Sequence, residues 1–203
     1  MKVALKKTPW VLARYRSCHV DLPDDENTPV MRSLRGNPKA DTLMLVPPCS
    51  QVEYQTQIPF STKTALAFHA VLAAEGIDTE KDFLIVSCSL FGLKANKAST
   101  TPMVEFLKEC AGNEQFKKFV CVGDETFKFL FAHGRKASMQ TLGGATLYVP
   151  LVNRKPLFVF PDIAGLAPDY GIDDEDWKRA RWQQRTEKDF SLYARRFRTF
   201  CEL

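Results

Sequence analysis

The feature that most constrains this chain is an alternation of short apolar runs with longer stretches that repeat at helical spacing. Leu43–Val46, Phe83–Val86, Phe119–Val122, Leu147–Val149 and Leu157–Phe160 are each bounded by Gly, Pro or polar clusters, and each is too short for a helix, so they predict buried strands. Between them, Thr64–Glu75 places Ala67, Phe68, Val71 and Leu72 on one stripe. That stripe stops at Gly76, a residue that accepts the left-handed conformation of a helix end. Thr101–Cys110 begins with Pro102 near a first-turn position, and Asp124–Phe131 follows a strand through Gly123. Glu187–Phe200 repeats Phe190, Tyr193, Ala194 and Phe197 and predicts a closing helix, while Pro23–Pro38 reads as a long surface connection. Strands that alternate with helices predict an α/β fold with a mostly parallel sheet covered on both faces.

Length then bounds the number of domains. With 203 residues, 45% of them hydrophobic and 11% aromatic, the chain can bury one substantial core but is short for two. A single domain over residues 1–203 is expected, with residues 1–35 as an N-terminal extension packed on it. The longest apolar runs cannot span a bilayer and no apolar segment follows the N-terminal lysines, so a cytoplasmic protein with no membrane partner is expected. Cys18, Cys49, Cys88, Cys110, Cys121 and Cys201 lack paired spacing, which favours reduced thiols. His19, His69 and His133 fit no zinc spacing, and no phosphate-binding Gly-Lys loop, nucleophile elbow or dinucleotide fingerprint is present. No metal or other cofactor is expected.

The net charge of +4 is mild, but its distribution is uneven. Basic residues gather at the ends, with Lys2, Lys6, Lys7, Arg14 and Arg16 at one and Lys178, Arg179, Arg181, Arg185, Arg195, Arg196 and Arg198 at the other. Asp173, Asp174, Glu175 and Asp176 form an acidic block. In an open α/β sheet, ligands bind beyond the carboxyl ends of the strands. Candidate site segments are therefore Pro47–Phe60, Ser87–Asn96, Gly123–Thr126 and Pro161–Tyr170.

Several of these segments resemble the uracil-DNA glycosylase superfamily, closest to its iron–sulfur branch. Gly36-Asn37-Pro38-Lys39-Ala40-Asp41, leading into Leu43–Val46, is similar to the G-N-P-x-A-D of that branch. Pro59-Phe60, the following helix and Gly76-Ile77-Asp78 match its P-F helix and its G-I/L-D exit. Phe83–Ser87 falls on the strand that ends in a base-reading asparagine, Asn96 on the asparagine of the next loop, Phe119–Gly123 on a later strand, and Phe160-Pro161 on the last H-P motif. The similarity runs in register over residues 36–199. It implies a three-layer α/β/α sandwich around a mostly parallel four-stranded sheet. It also implies a pocket that stacks a flipped base on an aromatic ring, the position of Phe60.

The departures from the family pattern converge on that pocket. Its G-E-A-P-G-x-x-E/D is replaced by Pro47-Pro48-Cys49-Ser50-Gln51-Val52-Glu53, which leaves Glu53 as the carboxylate nearest the water-activating position. Ser87 stands for the asparagine, and Phe160 stands for the histidine that stabilises the departing base. Phe91 falls on a cluster ligand and Ser17-Cys18-His19-Val20 on the N-terminal cysteine pair, so no iron–sulfur cluster is expected.

The resemblance thus assigns Glu53 and Asp162 as the catalytic candidates and Gln51, Phe60, Ser87 and Phe160 as the base pocket. It assigns DNA contacts to Asn96, Lys97, Gly123 and Pro161, to which the basic C-terminal end adds Arg195, Arg196 and Arg198. Two functions follow as expectations. The first is a DNA-binding protein with degenerate catalytic motifs, acting on single- or double-stranded DNA in replication, repair or defence, with a protein partner there. The alternative is an active glycosylase for a modified or damaged base.

Overall fold

In the computed structural model, which describes residues 9–18, 31, 33–89, 97–131, 142–163, 166 and 176–202, the apolar runs form the centre of one sheet. β1 is Arg35–Gly36, β2 Thr42–Val46, β3 Phe83–Ser87, β4 Lys118–Val122, β5 Thr146–Tyr148 and β6 Pro156–Phe160. The strand order is β1-β3-β2-β4-β6-β5. β3, β2, β4 and β6 are parallel, whereas β1 and β5 pair antiparallel at the two edges. The expected four-stranded sheet is therefore corrected to a mixed sheet of six strands, parallel only in its centre. β1, with only two residues, needs no continuous apolar run and escapes that reading. The Leu147–Val149 run falls on β5, but as an edge strand β5 exposes its first and last side chains and is not the buried strand expected there.

Among the described residues the helices are α1 Trp10–Ser17, α2 Gln51–Thr56, α3 Lys63–Ala74, α4 Thr79–Asp82, α5 Lys97–Gly112, α6 Asp124–Phe131 and α7 Asp176–Cys201, with a 3-10 turn at Pro150–Val152. Pro102 sits inside α5 and not at its first turn, because the helix begins upstream at Lys97. α7 likewise starts before the expected Glu187. Of the connection Pro23–Pro38, residues 23–30 lie outside the described residues, Met31 is buried and Arg35–Gly36 is strand.

Alternation along the central strands builds two cores. Leu43, Leu45, Leu84, Val86, Phe119, Cys121, Leu157 and Val159 face Val11 and Tyr15 of α1, Met103, Phe106 and Leu107 of α5, and Phe127 and Leu130 of α6. Met44, Val46, Ile85, Val120, Val122, Phe158 and Phe160 face Phe68 and Leu72 of α3 and Phe190, Ala194, Phe197 and Phe200 of α7. This second face is dense in aromatic rings, whose edge and offset contacts add about 0.5–1.5 kcal/mol each beyond their burial. At the far end of α7, the Lys118 ammonium donates to the Cys201 carbonyl at 2.5 Å, supplying a partner for a helix-end acceptor. Among the described residues, no helix is long and apolar enough to cross a membrane.

Candidate functional site

The chain runs from β2 outward to β3 and then back across β2 to β4, so the point where connections diverge lies between the carboxyl ends of β2 and β4. Pro47 and Gly123 occupy it. Gly123 has φ +85°, and a Cβ built there would lie 2.9 Å from Pro47 Cγ, so the proline ring fills the crevice against bare backbone. On the β3 side, Ser87 is buried and its hydroxyl donates to the Pro47 carbonyl at 3.3 Å. Cys88 continues the contact, its N–H donating to the Val46 carbonyl at 2.9 Å. Burial pushes the Cys49 and Cys88 thiols up to about 12, with Ser87 beside Cys49 and Thr126 beside Cys88 opposing the shift. Such thiols stay protonated and inert.

Glu53 is the expected catalytic carboxylate, and its surroundings are those of a structural group. It is 5% exposed, with Oε2 accepting the Ser50 N–H at 2.7 Å and Oε1 accepting the Ser61 N–H at 2.6 Å. The Ser50 hydroxyl oxygen in turn accepts the Glu53 N–H, completing a capping box at the start of α2. The Ser50-x-x-Glu53 spacing is itself the capping-box signature in the sequence, a signal separate from the one that marks Glu53 as a catalytic candidate. Asp162, the second candidate, is exposed just beyond β6, and Pro161 beside it is half-buried. Glu53 and Asp162 thus sit in opposite environments.

The expected base-pocket residues are brought to the same end of the sheet, but three of them are packed inside it. Phe60 is 5% exposed and holds φ +57°, a conformation rare for a bulky residue. Its carbonyl accepts from Arg35 Nη1 at 2.5 Å and lies 3.2 Å from His69 Nε2. Burial pulls the His69 imidazole below its usual range, helped by the nearby Arg35 charge, and a carbonyl oxygen opposite Nε2 is met by the tautomer that donates from it. The Phe60 ring meets Phe68 at 5.7 Å and His69 at 5.2 Å, both edge-on. Phe160 is fully buried, with Phe68 at 5.0 Å, Phe158 at 4.9 Å and Phe197 at 4.9 Å. Gln51 is exposed as the first residue of α2.

Of the expected DNA contacts, Asn96 lies outside the described residues, as does the side chain of Lys97, whose backbone opens α5. The three arginines of α7 are exposed but do not form one patch. Arg195 pairs with Glu75 of α3 at 3.2 Å and Arg198 with Glu202 at 3.8 Å, whereas Arg196 turns to the β5 flank beside Gly144. Phe91, the expected cluster position, is outside the described residues. Among those that are described, no three His, Cys, Asp or Glu side chains are placed to hold a metal ion.

A cleft of about 740 Å³ opens at the opposite end of the sheet, against the amino ends of β2 and β3. Asp41, Glu75, Lys81, Asp82, Arg198 and Cys201 line it. Its walls come from segments far apart in the chain, so no local spacing marks them as a group, and of these residues only Arg198 is among the candidates the sequence offers. Against known proteins, neither the scan of protein-family models nor the search of curated proteins found a match.

Proposed function

We propose that the chain is a uracil-DNA glycosylase-like, DNA-binding protein on a three-layer α/β/α frame, that its base pocket no longer serves uracil chemistry, and that it acts in DNA replication, repair or defence. The observation that carries this reading is the packing of Phe160 among Phe68, Phe158 and Phe197, at the position where the resembled enzymes keep a hydrogen-bond donor. A phenyl ring enclosed by three others cannot stabilise a departing anion. The backbone bonds of Glu53 agree with it, since both carboxylate oxygens already accept N–H donors and water activation would break one of them. For DNA, support comes from the basic ends and the net charge of +4, which attract a phosphate backbone by counterion release.

The test pairs chemistry with binding. Purified protein is incubated with DNA carrying uracil or modified bases and assayed for abasic sites, while affinity for undamaged DNA is followed across a salt series. The expected result is no abasic sites, with an affinity that falls with salt and depends weakly on sequence. Release of a base, abolished by Glu53→Gln, would instead establish an active glycosylase. Failure to bind DNA at low salt would remove the DNA assignment.

A further inference from the structure

The strand-end pocket leaves another surface without a task, the β5 edge of the sheet where α7 runs alongside. From Thr126 to Pro161 the chain has no Asp or Glu, while Lys128, Arg135, Lys136, Arg154 and Lys155 supply five cations. Lys128 pairs with Asp124, and Lys155 donates to the carbonyls of Asn113 and Phe116, so these two are engaged locally. Arg154 is exposed at the turn that leads into β6. Arg135 and Lys136 lie outside the described residues.

β5 is the outermost strand on this side. Thr146 is opposite Phe158 and Tyr148 opposite Pro156, and directly opposed residues of an antiparallel pair share a face. Phe158 faces α7, 5.0 Å from Phe197 and 5.5 Å from Phe200, so Thr146 and Tyr148 lie on the α7 side while Leu147 turns to the other core. Tyr148 is 65% exposed, an aromatic face left to solvent. At the other end of β5, a Cβ on Gly144 would lie 2.7 Å from the Tyr193 ring and 3.3 Å from Arg196 Nη1. Glycine at that turn is what lets α7 lay Tyr193 and Arg196 against the strand.

We propose that this β5–α7 edge is a track for single-stranded DNA, with a base stacked on Tyr148 and phosphates neutralised by Arg196 and Arg154. The proposal rests on the DNA-handling reading and gives it a surface apart from the strand-end loops. A duplex hides its base faces, whereas an unpaired base can stack on an exposed ring whatever its identity. The absence of carboxylates along the strand removes the repulsion that would otherwise meet a phosphate chain.

Fluorescence anisotropy with labelled oligothymidylate, a matched duplex and oligouridylate tests it. Tyr148→Ser should weaken oligothymidylate binding about 5- to 100-fold, while Tyr148→Phe, which keeps the ring, should bind as wild type does. Arg196→Gln and Arg154→Gln should each flatten the slope of log affinity against log salt by about 0.7. Unchanged unfolding midpoints exclude loss of fold. If wild type binds DNA and Tyr148→Ser binds equally well, the track is refuted and the broader function stands. Preference for the duplex, or for oligouridylate, also overturns it. Binding to no DNA probe refutes the function and the track together.

Discussion

Glu53 and Ser61 are joined across the loop between α2 and α3, with one carboxylate oxygen 2.6 Å from the Ser61 nitrogen while the other holds Ser50. Eight residues apart in sequence, they fix the chain that delivers Phe60 in its left-handed conformation. Glu53→Gln keeps one acceptor oxygen and sets an amide donor against a backbone donor. It should cost about 1–3 kcal/mol in urea unfolding, with Glu53→Ala costing more. A change below about 0.5 kcal/mol would show that the carboxylate does not carry this turn.

Phe160→His tests the aromatic filling directly. An imidazole among Phe68, Phe158 and Phe197 loses ring contacts and finds no polar partner among them, so the variant should lose about 2–4 kcal/mol of stability. It should gain no uracil excision, because Ser87 still lacks an amide and catalytic groups act as a unit. Excision restored by this single change would show that the rest of the pocket is intact.

Gly123→Ala should be destabilising by about 1–3 kcal/mol, since it adds a Cβ to a residue at φ +85° and drives it toward Pro47. Combining it with Pro47→Ala relieves the contact but not the backbone strain. The double variant should therefore lose less than the sum of the two single changes. Additive losses in thermal or urea unfolding would mean that the two residues do not meet.

Stability should fall on mild acidification because of His69. Its folded-state pKa lies below the ordinary 6.5, so the unfolded chain binds the proton more readily in that range. The His69 contribution is complete above about pH 6.5 and is lost as pH falls through the lower folded value. Urea midpoints at about pH 7.5 and about pH 5.5 should differ more for wild type than for His69→Gln. Equal differences would place the acid sensitivity elsewhere.

The thiols should divide by burial. Cys49, Cys88, Cys110 and Cys121 are buried, whereas Cys18 and Cys201 are partly exposed, so an aromatic disulfide reagent near neutral pH should reach Cys18 and Cys201 first. Cys201, pushed up to about 11 by burial, should follow Cys18. The remaining thiols should react only in denaturant, and rapid reaction of Cys49 in the native protein would contradict the packing around it.

How much of this was legible in the sequence depended on whether the signal was local. Runs such as Phe119–Val122 are apolar because both faces of a central strand are covered, so the parallel core could be read. β1 could not, since Arg35–Gly36 is strand only through its pairing with Leu84 and Ile85, some fifty residues away. The site followed the same division. The chain order of Glu53, Phe60, Ser87 and Phe160 placed them at one end of the sheet, but not how deeply they are packed. Phe160 is buried by Phe197 of a helix that starts after the strand has ended, and no spacing near Phe160 announces that partner. Glu53 is different, for its capping pattern is local: Ser50 and Glu53 at three-residue spacing announce it in the sequence.

α7 supplies Phe190, Ala194, Phe197 and Phe200 to a sheet face that it shares with α3, so that core is complete only once α7 has been made. While the ribosome is still making that helix, Phe68, Phe83, Phe158 and Phe160 lack the rings of Phe190, Phe197 and Phe200, and the part of that face that α3 does not cover remains sticky surface. The nascent chain must therefore stay soluble with part of this core open until α7 emerges. A chaperone that holds exposed phenylalanines would find its substrate in that interval, and a ribosome that stalled before α7 would release an aggregating fragment rather than a smaller folded domain.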